Sequence, residues 1–329
     1  MPANLTPEYL AADARYRAAR TNEEKLDALE EMLRTIPKHK GTTRMQGEIK
    51  HKISALKKDS TKKKGPARKA YEFHVPKEGA GQVTILGPPN SGKSSLLDVW
   101  TNAEPEIADY PYTTRRPIVG MYKYQNIQIQ MVDLPPVDRE FFESWSIGIV
   151  RNCDLVLLFL DLASDGALDD FDAVFGKMQE SKIMLQPAVT EKLLEDGTAC
   201  KKTLVAGNKI DLPQAQANLE LVREYLAGKF EILPVSVKDR KDLAVLGQRI
   251  FKGLDIIRAI TKAPGKPPQT DDPVILRLGS TVEDFARSVH KDFAEKLKYA
   301  RIWGEGAFEG QMVNRDYVLH DGDIVELHI

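Results

Sequence analysis

The chain has 329 residues and a formal net charge of −1, with 42% apolar and 29% charged residues. That length suits two or three domains of ordinary globular composition, and a net charge so close to zero identifies no partner, so any basic surface must be local. The chain does not start with a basic segment followed by an apolar one, and no run approaches about 18 apolar residues. We therefore expect a cytoplasmic protein without a membrane partner.

Residues 1 to about 75 predict helices. Thr6-Pro7 is typical of an N-cap followed by proline at the first helical position, and Thr21-Asn22-Glu23-Glu24 is a capping box. Two apolar helical faces follow, which carry Leu26, Leu29, Met32, Leu33 and Ile36, and then Met45, Ile49, Ile53 and Leu56. Pro37 and Gly41 separate them, so we expect a helical hairpin that must pack on other structure to be stable.

Nine basic residues crowd the end of this hairpin: Lys50, Lys52, Lys57, Lys58, Lys62, Lys63, Lys64, Arg68 and Lys69. Such a cluster is typical either of a surface that contacts an RNA backbone or of a solvated helix end with its linker. We expect contact with RNA, because this is the most basic surface that the chain offers, and we expect no DNA partner.

Residues 87–94 read G-x-x-x-x-G-K-S, the phosphate-binding loop, between a predicted strand at 83–86 and a predicted helix at 95–100. Its glycines let backbone N–H groups converge on phosphate oxygens, and the helix N-terminus adds partial positive charge. Lys93 would bridge the β- and γ-phosphates as a catalytic charge, and the Ser94 hydroxyl would ligate Mg²⁺. The predicted nucleotide contacts here are Gly87, Pro88, Pro89, Asn90, Ser91, Gly92, Lys93, Ser94 and Ser95.

Residues 80 to about 250 alternate apolar runs with helical patterns, which predicts an α/β domain built on a parallel sheet. Further strands are expected at 118–124, 127–132, 154–160, 203–206 and 232–235. Asp133 follows the second of these and would hold Mg²⁺ through a water molecule. The segment Asp109-Tyr110-Pro111-Tyr112-Thr113-Thr114 lies upstream, where a threonine can ligate Mg²⁺ in the triphosphate state and release it afterwards.

Asn208-Lys209-Ile210-Asp211 follows the strand at 203–206, at the sheet edge where ligands bind. The Asp211 carboxylate can accept two hydrogen bonds from guanine, whereas adenine lacks both donors in that geometry. Lys209 would pack its stem over the base, and Ser236-Val237-Lys238 resembles the loop whose backbone N–H contacts guanine O6. These residues, with Asn208, predict a site for GTP rather than ATP.

Residues 264–273 have the composition of a linker, and a small α+β unit is predicted beyond them. Its strands are expected at 274–278, 299–303 and 324–329, and a helix after Thr281 would carry Phe285, Val289 and Phe293 on one face. We therefore expect three domains: a basic helical domain at 1–78, a P-loop GTPase domain at 79–263 and an α+β domain at 264–329.

These motifs resemble the developmentally regulated GTP-binding protein family of the Obg superfamily. G-P-P-N-S-G-K-S-S-L, A-D-Y-P-Y-T-T and V-D-L-P carry the likeness in the middle domain, and G-S-T-V-E-D-F, Y-A-R-I-W-G and L-H-D-G-D are similar to its TGS domain, a ubiquitin-like β-grasp. The resemblance implies slow, Mg²⁺-dependent hydrolysis of GTP to GDP and action on ribosomes. The partners expected from it are rRNA or tRNA and a regulatory protein that stabilises the chain. It also implies that Thr114 is the catalytic switch residue that ligates Mg²⁺, and that Asn90 helps to form a K⁺ site that stimulates hydrolysis.

Two features depart from that family. Pro136 replaces a switch-II glycine, and proline has no N–H to donate to the γ-phosphate. The stretch from Asp133 to Asn208 is also too short for the β-α domain that eukaryotic-type members insert there. Val137 stands where many small GTPases keep a water-positioning glutamine, which Obg-type proteins also lack. An alternative prediction follows: a nucleotide-stabilised RNA- or ribosome-binding adaptor with little hydrolysis.

Overall fold

A computed structural model of the chain describes residues 6–18, 22–37, 42, 45–47, 49–50, 52–53, 75–101, 106–107, 117–137, 142–189 and 193–329. The chain divides into two compact units, Met1–Tyr71 and Glu72–Ile329. Several expectations fall outside the described residues: the start of the capping box at Thr21, Leu56, most of the lysine-rich run, and the segment 109–114 with Thr113 and Thr114.

The first unit contains helices α1 (Pro7–Ala18) and α2 (Asn22–Thr35). Thr6 caps α1, because its Oγ1 accepts a hydrogen bond from the Tyr9 N–H at 3.2 Å, and the predicted N-cap before Pro7 is confirmed. The core of this unit consists of Tyr9, Ala12, Leu29, Met32, Ile36, Ile49 and Ile53. The two predicted apolar faces therefore pack against each other, which is what stabilises short helices in water.

The second unit begins with a mixed sheet that is covered on both faces. Its elements are β1 (Gln82–Leu86), α3 (Lys93–Thr101), β2 (Glu106–Ile107), β3 (Ile118–Tyr124), β4 (Ile127–Asp133), α4 (Ser144–Asn152), β5 (Leu155–Asp161), α5 (Ala167–Glu180), β6 (Ile183–Gln186), β7 (Ala199–Asn208), α6 (Ala215–Leu226), β8 (Ile232–Pro234) and α7 (Arg240–Gly253). The strands follow the order β2-β3-β4-β1-β5-β7, and both β6 and β8 pair with β7. The predicted α/β fold with a parallel centre is confirmed, with β2 and β3 as antiparallel additions at one edge.

The central strands β1 and β5 are buried on both faces, as expected for strands in the middle of a sheet that is covered on both sides. Val83 pairs with Leu155 and Leu86 with Leu158 in parallel register. Alternate residues along β1 and β5 enter two separate hydrophobic cores, one on each face of the sheet. Since parallel strands all end at one edge, the loops after β1, β4, β5 and β7 meet there. No described helix combines the length and apolar character that crossing a membrane requires.

A second sheet closes the chain, with β9 (Ile256–Thr261), β10 (Val274–Arg277), α8 (Val282–Val289), α9 (Lys291–Lys296), β11 (Tyr299–Trp303), β12 (Gln311–Val313) and β13 (Ile324–His328). Its strand order is β10-β9-β13-β11-β12, and Phe285 of α8 is fully buried in its core. The helix signal at Thr281 is confirmed as a capping box: the Thr281 N–H donates to the Asp284 carboxylate at 3.0 Å, and the Asp284 N–H donates back to Thr281 Oγ1 at 3.4 Å.

Two expectations for this region need correction. Residues 264–273 connect β9 to β10, which pair antiparallel in one sheet, so this proline-rich segment is a loop within the domain rather than a linker before it. The short strand β9 follows α7 almost directly, and only its pairing with β10 and β13 identifies it as part of the second sheet.

The single helix expected after Thr281 is in fact two helices. The apolar face expected on it is divided between α8 and α9, because His290 between them is extended at φ −167° and ψ 143°.

Arg258 of β9 joins the second sheet to the first within this unit. Its guanidinium donates two hydrogen bonds to the Asp321 carboxylate, at 3.0 and 2.7 Å, and one to Asn126 Oδ1 at 3.0 Å. The same group lies over the Phe251 ring, 4.9 Å from its centre. Arg258 therefore connects the turn before β13, the β3–β4 turn and helix α7 through one planar cation.

Candidate functional site

A cleft of about 950 Å³ opens at the carboxyl edge of the first sheet. Most of the predicted site residues line it, namely Pro89, Asn90, Gly92, Lys93, Ser94, Ser95, Asp133, Asn208, Lys209, Asp211, Val237 and Lys238. Four others, Gly87, Pro88, Ser91 and Ser236, stand behind this lining and bond to residues that form it. The structure therefore brings together predicted residues that lie far apart in the sequence, while Thr114 lies outside the part of the chain that it describes.

The phosphate loop needs glycine at two positions for steric reasons. A Cβ on Gly87 would lie 2.2 Å from the Phe159 carbonyl oxygen, and a Cβ on Gly92 would lie 2.3 Å from Asn208 Nδ2. Gly92 also has φ +95°, in the left-handed region. Asn90 has φ 60°, which asparagine tolerates better than most residues. The loop is thus shaped by close backbone approach to β5 and to the Asn208 side chain.

Lys93 begins α3 and lies beneath this loop, with 6% of its surface exposed. Its ammonium donates to the carbonyl oxygens of Gly87 at 3.1 Å and Pro88 at 2.8 Å. Burial lowers the pKa of Lys93, and the nearby Asp133 carboxylate offsets part of that effect. A cation held at the start of a helix, below a curled loop, provides a strong anion-binding position.

Ser94 and Asp133 form the oxygen-rich part of the cleft. Ser94 Oγ donates to Asp133 Oδ2 at 2.7 Å, while Asp133 Oδ1 is buried and has no hydrogen-bond partner among the described residues. Burial raises the pKa of Asp133, and the Ser94 hydrogen bond and the Lys93 charge act in the opposite direction. An unpartnered carboxylate oxygen beside a hydroxyl fits a hard divalent cation such as Mg²⁺, which prefers oxygen ligands.

The Asp211 carboxylate lies at the other end of the cleft, where two side chains hold it in place. Its Oδ1 accepts from Ser236 Oγ at 2.8 Å and its Oδ2 from Lys238 Nζ at 2.9 Å. These two bonds, that from Lys238 first, lower the pKa of Asp211, so the group is ionised at neutral pH. The carboxylate is also held in place from two sides, which suits recognition of a pair of N–H donors.

Two carboxylates that the sequence analysis missed support this region. Lys209 Nζ forms an ion pair with Asp161 Oδ2 at 2.6 Å, and the Ser236 N–H donates to Asp242 Oδ2 at 2.8 Å. Asp161 ends the apolar strand β5 at the ligand-binding edge, and that position is the signal that could have identified it. The pair fixes the head of Lys209 and leaves its stem along the cleft, as the predicted packing over a base requires.

The two residues that depart from common GTPase patterns have different surroundings. Pro136 lines the cleft, where it offers no N–H. Val137 is 1% exposed and packs in the core, and its own N–H donates to the Gly87 carbonyl at 3.1 Å. The Val137 side chain therefore points away from the cleft, and its backbone ties the segment after β4 to the phosphate loop.

Comparison with protein families identifies two matching regions. The family described as "50S ribosome-binding GTPase" matches residues 82–191, and the TGS domain family matches residues 257–329. The first match begins at β1 and the second within β9. The TGS match therefore agrees with the sheet pairing in placing β9 with the C-terminal domain.

Similar proteins cover most of the chain. A GTP-binding protein of Methanocaldococcus jannaschii is 27% identical over 365 residues, covering 93% of each chain. Developmentally-regulated G-protein 3 of Arabidopsis thaliana is 28% identical over 361 residues, covering 92% of this chain and 98% of the relative. Developmentally-regulated GTP-binding protein 1 of Xenopus laevis is 25% identical and covers 90% and 96%, respectively. All three alignments, of 365, 361 and 355 residues, are longer than this chain of 329 residues, so these relatives carry residues that have no counterpart here.

Proposed function

As this chain is a GTP-binding protein of the Obg-like, developmentally regulated GTP-binding protein family, we propose that it hydrolyses GTP to GDP and phosphate and acts as a nucleotide-dependent switch on the ribosome in the cytoplasm. One observation carries this proposal. A single cleft contains the buried ammonium of Lys93, the Ser94–Asp133 oxygen pair and the anchored Asp211 carboxylate. These groups match a triphosphate, a divalent cation and a guanine, in that order along the cleft.

The base end of the cleft supports selection of guanine. The Asp211 carboxylate is held by Ser236 and Lys238 and has no N–H of its own, so it favours a base edge with two donors. Adenine presents no such pair there, which argues against an ATPase. Asn208 contributes indirectly, since both ends of its amide bond to the protein backbone.

The phosphate end supports Mg²⁺-dependent chemistry. Ser94 and Asp133 would hold the ion, with Thr114 as the further ligand that the family resemblance implies, and the bound ion would neutralise charge on the β- and γ-phosphates. Lys93 and the N-terminus of α3 stabilise the same charge as the bond to the γ-phosphate breaks. The described lining of the cleft contains no histidine that could act as a general base. We therefore expect hydrolysis to be slow.

Asn90 supports a role for a monovalent cation. It is exposed in the phosphate loop and lines the cleft, where its side-chain oxygen could complete a K⁺ site beside the phosphates. A cation there would supply the transition-state charge that an arginine supplies in other GTPases. We therefore propose that K⁺ stimulates hydrolysis.

Two observations support a ribosomal partner. The family that matches residues 82–191 is described as ribosome-binding, and the sequence places nine basic residues between Lys50 and Lys69. A basic segment of this kind binds an RNA backbone through phosphate contacts, which fits rRNA or tRNA. A regulatory protein that stabilises the chain is a further proposed partner.

A second candidate function is an RNA- or ribosome-binding adaptor that GTP stabilises without being hydrolysed. Pro136 favours it, because the cleft lacks the backbone donor that would sense a γ-phosphate at this position. In the adaptor, GTP and GDP would support RNA binding equally. In the switch, the two nucleotides would differ.

Cosedimentation with ribosomes separates these functions. The full chain is loaded with a non-hydrolysable GTP analogue, with GDP or with no nucleotide, and single-turnover hydrolysis is measured in parallel in K⁺ and Na⁺. Lys93→Ala should lose hydrolysis and nucleotide-dependent pelleting, whereas Lys177→Ala, which removes an exposed ammonium paired with Glu180, should behave as the unchanged protein. Equal cosedimentation with the GTP analogue, with GDP and without nucleotide would favour the adaptor. If the protein does not cosediment with ribosomes at low or at physiological salt, the proposed ribosomal partner is wrong.

A further inference from the structure

A second cleft, of about 460 Å³, lies at the opposite edge of the first sheet, where β5 and β7 begin. We call it the basal cleft. Its lining carries five basic side chains and two carboxylates, namely Lys77, Arg151, Lys201, Lys202, Arg277, Asp154 and Asp255. The cleft is therefore markedly positive in a chain whose net charge is −1. This local excess has no part in the nucleotide site, which opens at the other edge of the sheet.

Both carboxylates of the basal cleft are already paired. Asp154 forms an ion pair with Lys77, and its other oxygen accepts the Gln82 N–H at 2.9 Å. Asp255 forms an ion pair with Lys202 at 2.6 Å. Each carboxylate is thus matched by one lysine, and neither is left over to neutralise the arginines.

The two arginines have no acidic partner among the described residues. Arg151 donates to the backbone carbonyl of Gly197 and has no ion pair with any carboxylate among the described residues. Arg277 is exposed and forms no side-chain hydrogen bond or ion pair within the described parts of the chain. Guanidinium groups that share a cleft repel each other, and an anion between them removes that repulsion. The planar donor fork of arginine is also suited to bidentate contact with phosphate.

Apolar side chains form much of the remaining wall of the basal cleft, beside the polar Asn152. Leu193 is 62% exposed, although a large aliphatic side chain is more stable when covered, and Leu254 lies in the same lining. The volume of the cleft falls within the range of about 300–1,000 Å³ that is usual for small-molecule sites. We propose that the basal cleft binds a phosphate ester, with its phosphate held by Arg151 and Arg277 and its organic part lying against Leu193 and Leu254.

Such a ligand would contact both domains of the second unit. Arg151 belongs to α4 of the GTPase domain, whereas Arg277 ends β10 of the C-terminal sheet. Binding would therefore connect these two elements through one anion. The same phosphate chemistry is available from a free mononucleotide or from a phosphate group of RNA, and the experiment below distinguishes these sources.

Calorimetric titration of the full chain tests the proposal. The protein is first saturated with Mg²⁺ and GDP, so that the nucleotide site is filled, and is then titrated with AMP at low salt. AMP should bind with a dissociation constant below about 1 mM. Arg277→Gln removes one guanidinium that makes no side-chain hydrogen bond to the described part of the chain, and it should weaken AMP binding by about tenfold. Arg223→Gln, which changes an exposed arginine paired with Glu220, should leave it unchanged.

A 5′-phosphorylated RNA oligonucleotide provides the second arm. RNA that competes with AMP and binds more weakly to the Arg277→Gln protein would identify nucleic-acid phosphate as the source, with steep salt dependence. Binding of AMP alone would identify a small phosphate ester. The proposal is wrong if AMP and RNA both fail to bind at about 10 mM and 100 μM respectively, or if neither loses affinity in the Arg277→Gln and Arg151→Gln proteins.

Discussion

The Asn208 side chain joins the two ends of the nucleotide cleft. Its Nδ2 donates to the backbone carbonyl of Ser91 at 2.8 Å, and its Oδ1 accepts the Val237 N–H at 3.2 Å. Ser91 belongs to the phosphate loop and Val237 to the loop after β8, so one buried amide sets the separation between the phosphate and base ends. Asn208 thus positions both loops without being free to bind the base through these same atoms.

Replacing this amide should therefore weaken binding of the whole nucleotide. Asn208→Ala removes the partner of the buried Ser91 carbonyl and that of the partly buried Val237 N–H, which costs about 1–3 kcal/mol of folding free energy. We expect GTP and GDP affinities to fall together by at least about tenfold, measured with fluorescent nucleotides. Asn218→Ala is the matched control, since Asn218 also donates to two backbone carbonyls, at 2.9 and 3.1 Å, outside the cleft. Equal nucleotide affinities in the two variants would contradict this role.

Asp211 should determine which base is accepted. Asp211→Asn replaces an acceptor with an N–H donor, so it should disfavour guanine and favour xanthine, which has an oxygen in place of the 2-amino group. We expect GTP affinity to fall by about 100-fold and XTP affinity to rise, measured by competition titration. Asp239→Asn, at the exposed N-cap of α7, is the control. A variant that kept its preference for GTP would place the base elsewhere.

The buried carboxylate Asp323 should make stability depend on pH. It is fully buried, and burial raises its pKa, while the His320 N–H lowers it in part. Between the ordinary pKa and the raised pKa the folded chain holds a proton that the unfolded chain has lost, so the free energy of unfolding falls as pH rises through this window. Asp323→Asn carries no titratable carboxyl, so its free energy of unfolding should no longer fall as pH rises through this window.

Urea unfolding between about pH 4 and pH 7 measures this effect. Asp316→Asn provides the control, because Asp316 is an exposed carboxylate in the same domain. The control should follow the pH dependence of the unchanged protein. A parallel pH dependence in the Asp323→Asn protein would show that this carboxylate is not responsible.

Arg258 should contribute most of the stability of the junction between the two sheets. Arg258→Ala removes two hydrogen bonds to Asp321 and the stacking on Phe251, and leaves the Asp321 carboxylate with only the backbone N–H of residue 258 as a donor from this position. We expect a loss of about 2 kcal/mol or more in urea unfolding. Arg249→Ala removes an exposed pair with Glu231 and should cost less than about 0.5 kcal/mol. Similar losses in both variants would mean that the junction depends on other contacts.

The sequence predicted the elements whose signal is local. The phosphate loop, the strand before it and the helix after it follow from a short motif with its flanks, and β5 follows from an uninterrupted apolar run. The capping box at Thr281 is likewise encoded within four residues. The sequence analysis did not predict strand β9. Its place in the second sheet depends on pairing with β10 and β13, which lie farther along the chain, and no local motif indicates that pairing.

The sequence by itself therefore determined the fold class, the order of the motifs and most of the described residues that line the cleft at the carboxyl edge of the first sheet. Only the tertiary structure decided that Asn208 braces the two loops, that Asp161 anchors Lys209, and that the side chain of Val137 faces the core. It also decided that Arg151 and Arg277 share one cleft. The physical reason is that local motifs depend on backbone geometry and periodicity within a few residues, whereas these contacts depend on strand register and packing between distant segments.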